Sequence, residues 1–247
     1  KCGTTSLYHY LIAHPNIASP AEKQMHFFDN NFNKGLTWYR THFPSSLYKF
    51  YVKEVQRQPF QTGEGTPYYI FHPLAPERIA KYLPNAKFIL LLRNPVDRAY
   101  SHYNHEIRKG TEKLSFEEAL DKEPERLEGE IEKMRRDLNY YSFSHQHHTY
   151  LSRGVYIDQL LHWTKYFPLE QFLVIKSEDF FEKPPLVVAE IIKFLKLPSW
   201  QLEDTNNYNK GSYSKMEPKI KSRLVDYFRP HNQKLYEFLG RDFGWDR

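Results

Sequence analysis

Two unbroken apolar runs frame the chain, KFILLLR at 87–93 and QFLVIKSED at 171–179. Runs of this length without alternation predict strands buried on both faces, as in a parallel sheet. YKFYVKEV at 48–55 reads as a further, weaker strand. After each run the period changes from strand to helix. Over 94–109, Val96, Tyr100, Tyr103 and Ile107 recur at spacings of four, three and four, a single apolar stripe opened by Asn94-Pro95 as cap and first turn. The pattern predicts further helices at 4–14, 75–83, 154–166, 184–195 and 217–239. Strands alternating with helices imply an α/β layered fold, with ligand beyond the carboxyl ends of a largely parallel sheet. EEALDKEPERLEGEIEKMRRD, 117–137, is nearly all charged and is expected to be a solvated surface helix or a mobile flap. It lies within 111–150, expected to be a variable, mobile insertion. No repeat or low-complexity linker divides the chain, so one domain over 1–247 is expected.

At 247 residues and 40% hydrophobic content, the chain can bury one substantial core. Its net charge of +5 suits a partner with several negative charges, without choosing among nucleic acid, nucleotide and acidic polymer. The lone Cys2 excludes an internal disulfide and favours a cytoplasmic compartment. No apolar run approaches the roughly 18 residues of a membrane span, and no signal peptide opens the sequence. HQHH at 145–148 lacks the spacing of a closed zinc site and is expected to be a group of surface polar residues.

KCGTTSLYHYL, residues 1–11, sets Lys1, Gly3 and two threonines at the front of a helix. Threonines cap many helices. Free amides and the positive end of the helix dipole also make such a start an anion-binding loop. LLLRNPVDRAYSHYNH, 90–105, puts Arg93 at the carboxyl end of a buried strand and Ser101 two turns into the next helix. A guanidinium grips phosphate through two parallel hydrogen bonds, and a hydroxyl adds a third donor without bulk. Asp97 and Arg98 are expected merely to pair along the helix surface. NKGSYSK, 209–215, joins Lys210 to Gly211, where a backbone can approach an anion closely. Singly, each element also fits a cap, a surface charge or a solvated turn.

Together, KCGTTSL, RNPVDRAYSHY and NKGSY resemble, in order and spacing, three motifs of the sulfotransferases that use 3′-phosphoadenosine 5′-phosphosulfate (PAPS). These are the phosphosulfate loop, the 3′-phosphate strand-helix motif and a late Lys-Gly loop. The resemblance runs from Lys1 through GRDFGWD at 240–246 and is strongest to the heparan sulfate branch and its bacterial relatives. It implies a three-layer, P-loop NTPase-like α/β fold with a central, mostly parallel sheet flanked by helices. One sulfotransferase domain is implied, with its feeder strand upstream of Lys1. It places the 5′-phosphosulfate on Lys1, Cys2, Gly3, Thr4, Thr5 and Ser6, and the 3′-phosphate on Arg93, Ser101, Lys210, Gly211 and Ser212. PAPS is then cosubstrate and 3′,5′-adenosine bisphosphate (PAP) product, with no metal required. The Walker loop and the Asp-Phe-Gly element of kinases are absent, so ATP is the poorer donor. A sulfuryl group carries less charge than a phosphoryl group, so Lys1 and backbone amides can steady the leaving oxygen by positioning and electrostatics.

An attacking hydroxyl must lose its proton to a base within hydrogen-bond reach. KQMHFFD, 23–29, resembles the family's Glu-x-His-Phe-Phe-Asp segment, whose glutamate is the usual base; here that position is Gln24, and an amide cannot take the proton. Three candidates replace it: His26 first, because imidazole titrates near neutrality, then Glu64 in TGEGTPYYI, then His105, one turn after Ser101. Two of them also have a structural reading, His26 as a core histidine beside Phe27 and Phe28, Glu64 as an orienter of backbone or lysine. Gly65 stands where some members carry lysine, which makes the acceptor pocket less basic and argues against a polyanionic sugar. YYIF at 68–71, HFFD at 26–29 and YYSF at 140–143 are expected to be mostly core, with some lining the acceptor. Arg153 and Tyr156 are expected at the cleft edge. The expected reaction is sulfuryl transfer to a hydroxyl or amine of a small molecule or saccharide, with no nucleic acid partner. The alternatives are a catalytically impaired nucleotide or glycan binder on the same fold and a P-loop kinase. The acceptor's identity and the oligomeric state are not legible.

Overall fold

The computed structural model describes residues 1–206 and 214–246. In chain order, α1 (Thr4–Ile12) leads to β1 (Ile17–Ala18), α2 (Gly35–Thr41), α3 (Ser46–Phe50), β2 (Gln61–Thr62), α4 (Ala75–Tyr82), β3 (Phe88–Leu92) and α5 (Pro95–Lys109). Then come α6 (Phe116–Leu127), α7 (Glu130–Arg136), α8 (Phe143–His147), α9 (Tyr156–Trp163), β4 (Phe172–Lys176), α10 (Ser177–Glu182), α11 (Pro184–Phe194) and α12 (Pro218–Leu239). Among the described residues, strand pairing forms two parallel ladders, β1 with β2 and β3 with β4, the second running from Phe88 opposite Phe172 to Leu92 opposite Lys176.

Side chains alternate across the β3–β4 pair. Leu90, Leu92 and Val174 pack into a core with Val96 of α5, Leu120 of α6, Leu160 of α9 and Phe228 of α12. Ile89, Leu91, Leu173 and Ile175 face the opposite core, with Leu7 of α1, Phe180 of α10 and Ile191 of α11. Helices therefore cover both faces, giving three layers and explaining why the strands read as unbroken apolar runs. A third core, rich in aromatics, gathers Phe27, Phe28, Tyr39, Trp163 and Phe167 around Phe88 and Phe172, where both strands begin. The opposite, carboxyl ends of β3 and β4 are left to polar residues, Arg93 and Ser177.

Four expectations are corrected. Residues 48–55 are helical: Ser45 accepts the Tyr48 N–H at 3.2 Å and starts α3, which continues as a π-helical turn over Tyr51–Val55. The local cap overrides the strand preference of Tyr, Phe and Val. The charged stretch 117–137 is helical, but it is no freely solvated excursion, because Phe116, Leu120 and Met134 are buried. Buried carboxylates reinforce it: Glu123 accepts the backbone N–H groups of Tyr150 (2.7 Å), Leu151 (2.6 Å) and Ser152 (2.8 Å), and Glu112 takes a forked pair from Arg126 and the Tyr150 hydroxyl. Arg98 is buried, its guanidinium donating to the Thr149 and Tyr150 carbonyls; it forms no surface pair with Asp97. His145 and His148 are buried too. The ring of His145 stacks on Phe71 at 4.4 Å and takes a 2.6 Å hydrogen bond with Tyr68, while His148 meets the Thr111 carbonyl at 3.1 Å. Burial, with the charge of Arg153 beside it, drives the pKa of His145 down to about 3, so it packs as a neutral aromatic.

Candidate active site

The turn at 1–3 needs its glycine. Gly3 caps α1 at φ +88°, and an added Cβ would lie 2.7 Å from Phe181 and 3.0 Å from Phe180. Both the left-handed backbone and the aromatic wall exclude a side chain. No side chain caps α1, so its first-turn amides are available to an anion. Ser177 donates to the Cys2 carbonyl (3.0 Å), and Arg93 Nη1 donates to the Lys1 carbonyl (3.1 Å). The turn is thus tied to the residues that follow both β4 and β3. Tyr156, buried rather than at the cleft edge, donates to the Arg93 carbonyl (2.8 Å), and Glu178 accepts the Asn94 N–H (2.8 Å). Arg153 is pinned by the carbonyls of His145 and Gln146 above the rings of Tyr68 and Phe71, so it holds up the wall.

Ser101 and His105 lie one turn apart on α5, both half-buried. The Ser101 hydroxyl has no partner among the described residues. Desolvation lowers the Lys1 ammonium to about 8, with Glu106 pulling upward and Arg108 and Lys109 downward. The same neighbourhood lowers His105 to about 4, by burial first and then by the charge of Lys1. Lys1, His105 and the Arg93 contact therefore belong to one edge. Thr5 accepts from Lys23 Nζ at 2.8 Å. Thr4 and Cys2 are half-buried and Ser6 is buried. Lys210, Gly211 and Ser212 lie outside the described residues. Of the described residues nearest to them, the Asn206 carbonyl accepts from Tyr10 of α1, and Ser214 bonds Tyr100 of α5.

On the acceptor side, His26 has φ +49°, an uncommon backbone for a residue with a side chain, of the kind that collects at functional sites. Its Nδ1 meets the buried Asp29 carboxylate at 2.8 Å. A carboxylate only accepts, so the proton is on Nδ1 and Nε2 is the open basic atom. Burial works against protonation here. The hydrogen bond and charge of Asp29, with the charge of Glu64, outweigh it and raise the pKa above the ordinary value. Glu64 is saturated: its oxygens accept from Met25 N–H (3.3 Å), Thr66 (2.6 Å), Tyr69 (3.0 Å) and Tyr39, which ties it to the backbone that carries His26. Gln24 is exposed. Lys23 links this segment to the anion loop. Its carbonyl accepts the Gly65 N–H (2.8 Å), and its stem passes over Gly65, where a Cβ would make ordinary contact with Lys23 Cε at 3.8 Å. Three residues span at most about 11 Å, which keeps His26 close to the loop.

Lys23 and Asp29 both lie in the KQMHFFD segment at 23–29, and the motif alone assigns neither a role. The His-x-x-Asp spacing was a usable signal for Asp29, whereas the reach of Lys23 to Thr5 emerges only in three dimensions. Among the described residues, no three His, Cys, Asp or Glu side chains converge as a metal site.

A sulfotransferase domain profile matches residues 1–234. The chain belongs to the sulfotransferase family. A crystal structure of a sulfotransferase from Alicyclobacillus acidocaldarius superposes with a TM-score of 0.74 at 31% identity, over 100% of this chain and 95% of that one. The membrane-associated sulfotransferase kil1 of Dictyostelium discoideum is 28% identical, across 99% of this chain and 64% of its own length. Human heparan sulfate glucosamine 3-O-sulfotransferase 3B1 is also 28% identical, across 100% of this chain and 63% of its own length. The chain thus spans less than two thirds of these two relatives. No helix among the described residues is long and apolar enough to cross a membrane.

Proposed function

We propose that the chain transfers a sulfuryl group from PAPS to a hydroxyl of a saccharide acceptor by in-line displacement. The observation that carries this reading is the hydrogen bond from Arg93 to the Lys1 carbonyl, which sets the anion loop and the strand-end guanidinium on one edge, where a single nucleotide with two anionic ends can meet both. The first-turn amides of α1, with Thr4 and Thr5, hold the 5′-phosphosulfate, and Arg93 and Ser101 read the 3′-phosphate. Lys1, mostly cationic at pH 7 with its pKa at about 8, neutralises charge developing on the leaving phosphate oxygen. Lys23, on Thr5, adds a second cation to the loop.

His26 Nε2 takes the acceptor proton as the acceptor oxygen bonds to sulfur and the bond from sulfur to the phosphate oxygen breaks. Asp29 fixes the tautomer and stabilises the imidazolium. Glu64, with its oxygens engaged, positions the His26 segment. His105, with a pKa near 4, takes up a proton poorly and ranks below His26. A saccharide is favoured because relatives named for heparan sulfate glucosamine sulfation align along the whole chain. A cytoplasmic setting is part of the same proposal, on the ground of the single cysteine.

Exposed Gln24 in the usual base position also fits a nucleotide or glycan binder without turnover. Incubation with sulfur-labelled PAPS and a panel of saccharides and small hydroxyl compounds separates the two. Labelled saccharide is the expected result; PAP binding with no transfer to any acceptor supports the binder.

A further inference from the structure

Residues 46–57 carry large apolar side chains on one side and basic side chains on the other. Leu47, Tyr51 and Val55, spaced by four, are 79%, 49% and 60% exposed, with Tyr48 and Phe50 beside them at 51% and 60%. Lys49 and Lys53, two positions on from Leu47 and Tyr51, are exposed on the other side of the helix, and exposed Arg57 follows just past its end. Glu54 is the lone acidic residue of the segment and meets Arg57 only loosely, at 3.9 Å between exposed groups. Val52 is the segment's only buried side chain. Five large apolar or aromatic side chains within nine residues facing water form a patch that calls for an occupant.

We propose that this helical segment docks on an anionic lipid surface, its apolar side chains entering the boundary between headgroups and acyl chains and its basic stripe meeting the phosphates. Three features favour a bilayer. The cations occupy the side of the helix away from the apolar stripe, as on helices that lie in the plane of an interface. Two of the five exposed side chains are tyrosines, which suit an interface that is apolar at one end and wet at the other. The helix is already formed, so docking costs little ordering. A second copy is the competing occupant, and a helix about 15 Å long is short for the roughly 800 Å² per partner of a stable dimer.

The test is flotation of the whole chain with phosphatidylcholine vesicles containing about 30% phosphatidylserine, against phosphatidylcholine alone. Wild type is expected to float with the anionic vesicles and to be released by salt. Leu47→Gln with Phe50→Gln should weaken binding at least tenfold. Each basic residue near an anionic surface is worth roughly fivefold, so Lys49→Gln with Lys53→Gln should weaken it roughly 25-fold. All four positions are exposed, so circular dichroism and the thermal midpoint should match wild type in both variants. The proposal is overturned if wild type ignores anionic vesicles or if both folded variants bind as wild type does. It is equally overturned if sedimentation shows a dimer that Leu47→Gln dissolves while vesicles stay unbound, which would assign the face to a second copy.

Discussion

Replacing Asp29 by asparagine changes little in shape and should nonetheless disable the proposed base. Asp29 Oδ1 accepts the Asn30 N–H at 2.6 Å, and Oδ2 faces His26 Nδ1 at 2.8 Å. In Asp29→Asn the amide oxygen keeps the Asn30 contact, so the amide nitrogen, a donor, turns toward Nδ1. Nδ1 then has to accept, the ring proton moves to Nε2, and Nε2 can no longer take a proton. Loss of a general base costs roughly 10²–10⁴ in rate, about 3–5 kcal/mol of barrier. The pH profile adds a readout that mere distortion would not produce. In wild type, activity should rise with pH through a His26 pKa raised above its ordinary value, because only the neutral ring accepts, and fall near pH 8 as Lys1 loses its charge. With the carboxylate gone, the His26 pKa drops, as followed by nitrogen-edited NMR titration, while PAP affinity by calorimetry stays within threefold, about 0.6 kcal/mol. An Asp29→Asn enzyme of undiminished kcat, or one whose His26 pKa stays put, would refute the dyad.

Gly3→Ala should lose about 2–4 kcal/mol of stability, combining the left-handed backbone with overpacking against Phe180 and Phe181, as read by urea denaturation. Lys23→Met should raise the donor KM about tenfold, about 1.4 kcal/mol, with kcat less affected, as measured by initial rates at varied PAPS. Glu112 has its carboxyl held at about 2, because the hydrogen bonds from Arg126, two backbone amides and Tyr150 outweigh burial. A depressed carboxyl stabilises the fold above its unfolded value and loses that contribution as pH falls toward 2, so the thermal midpoint gap between wild type and Glu112→Gln should be full at pH 7 and shrink below about 4.5.

The framework was open to sequence reading where one local rule decides the outcome. The runs that became β3 and β4 had to be buried on both faces, and Asn94-Pro95 marked the start of α5. Tertiary partners decided the rest. Nothing in the charge pattern of 117–137 tells that Glu123 will be enclosed by the amides of residues 150–152, or that Glu112 will fork with Arg126. His145 and His148 read as polar until Phe71, Tyr68 and Thr111 are brought against them. At 48–55 the apolar run read as a strand, and the cap supplied by Ser45 made it a helix instead. In the site, Arg93, the α1 turn and His26 were named from their motifs, whereas the bridge from Lys23 to Thr5, across 18 residues, emerges only when the chain is folded.

Titration calorimetry of PAP against ADP tests the central claim most directly, since the two nucleotides differ in whether the second anionic end sits on the ribose. If Arg93 and Ser101 meet a 3′-phosphate on the same edge as the α1 turn, PAP should bind at least tenfold more tightly, about 1.4 kcal/mol, and Arg93→Ala should erase most of that preference. Equal affinities for PAP and ADP would contradict the account.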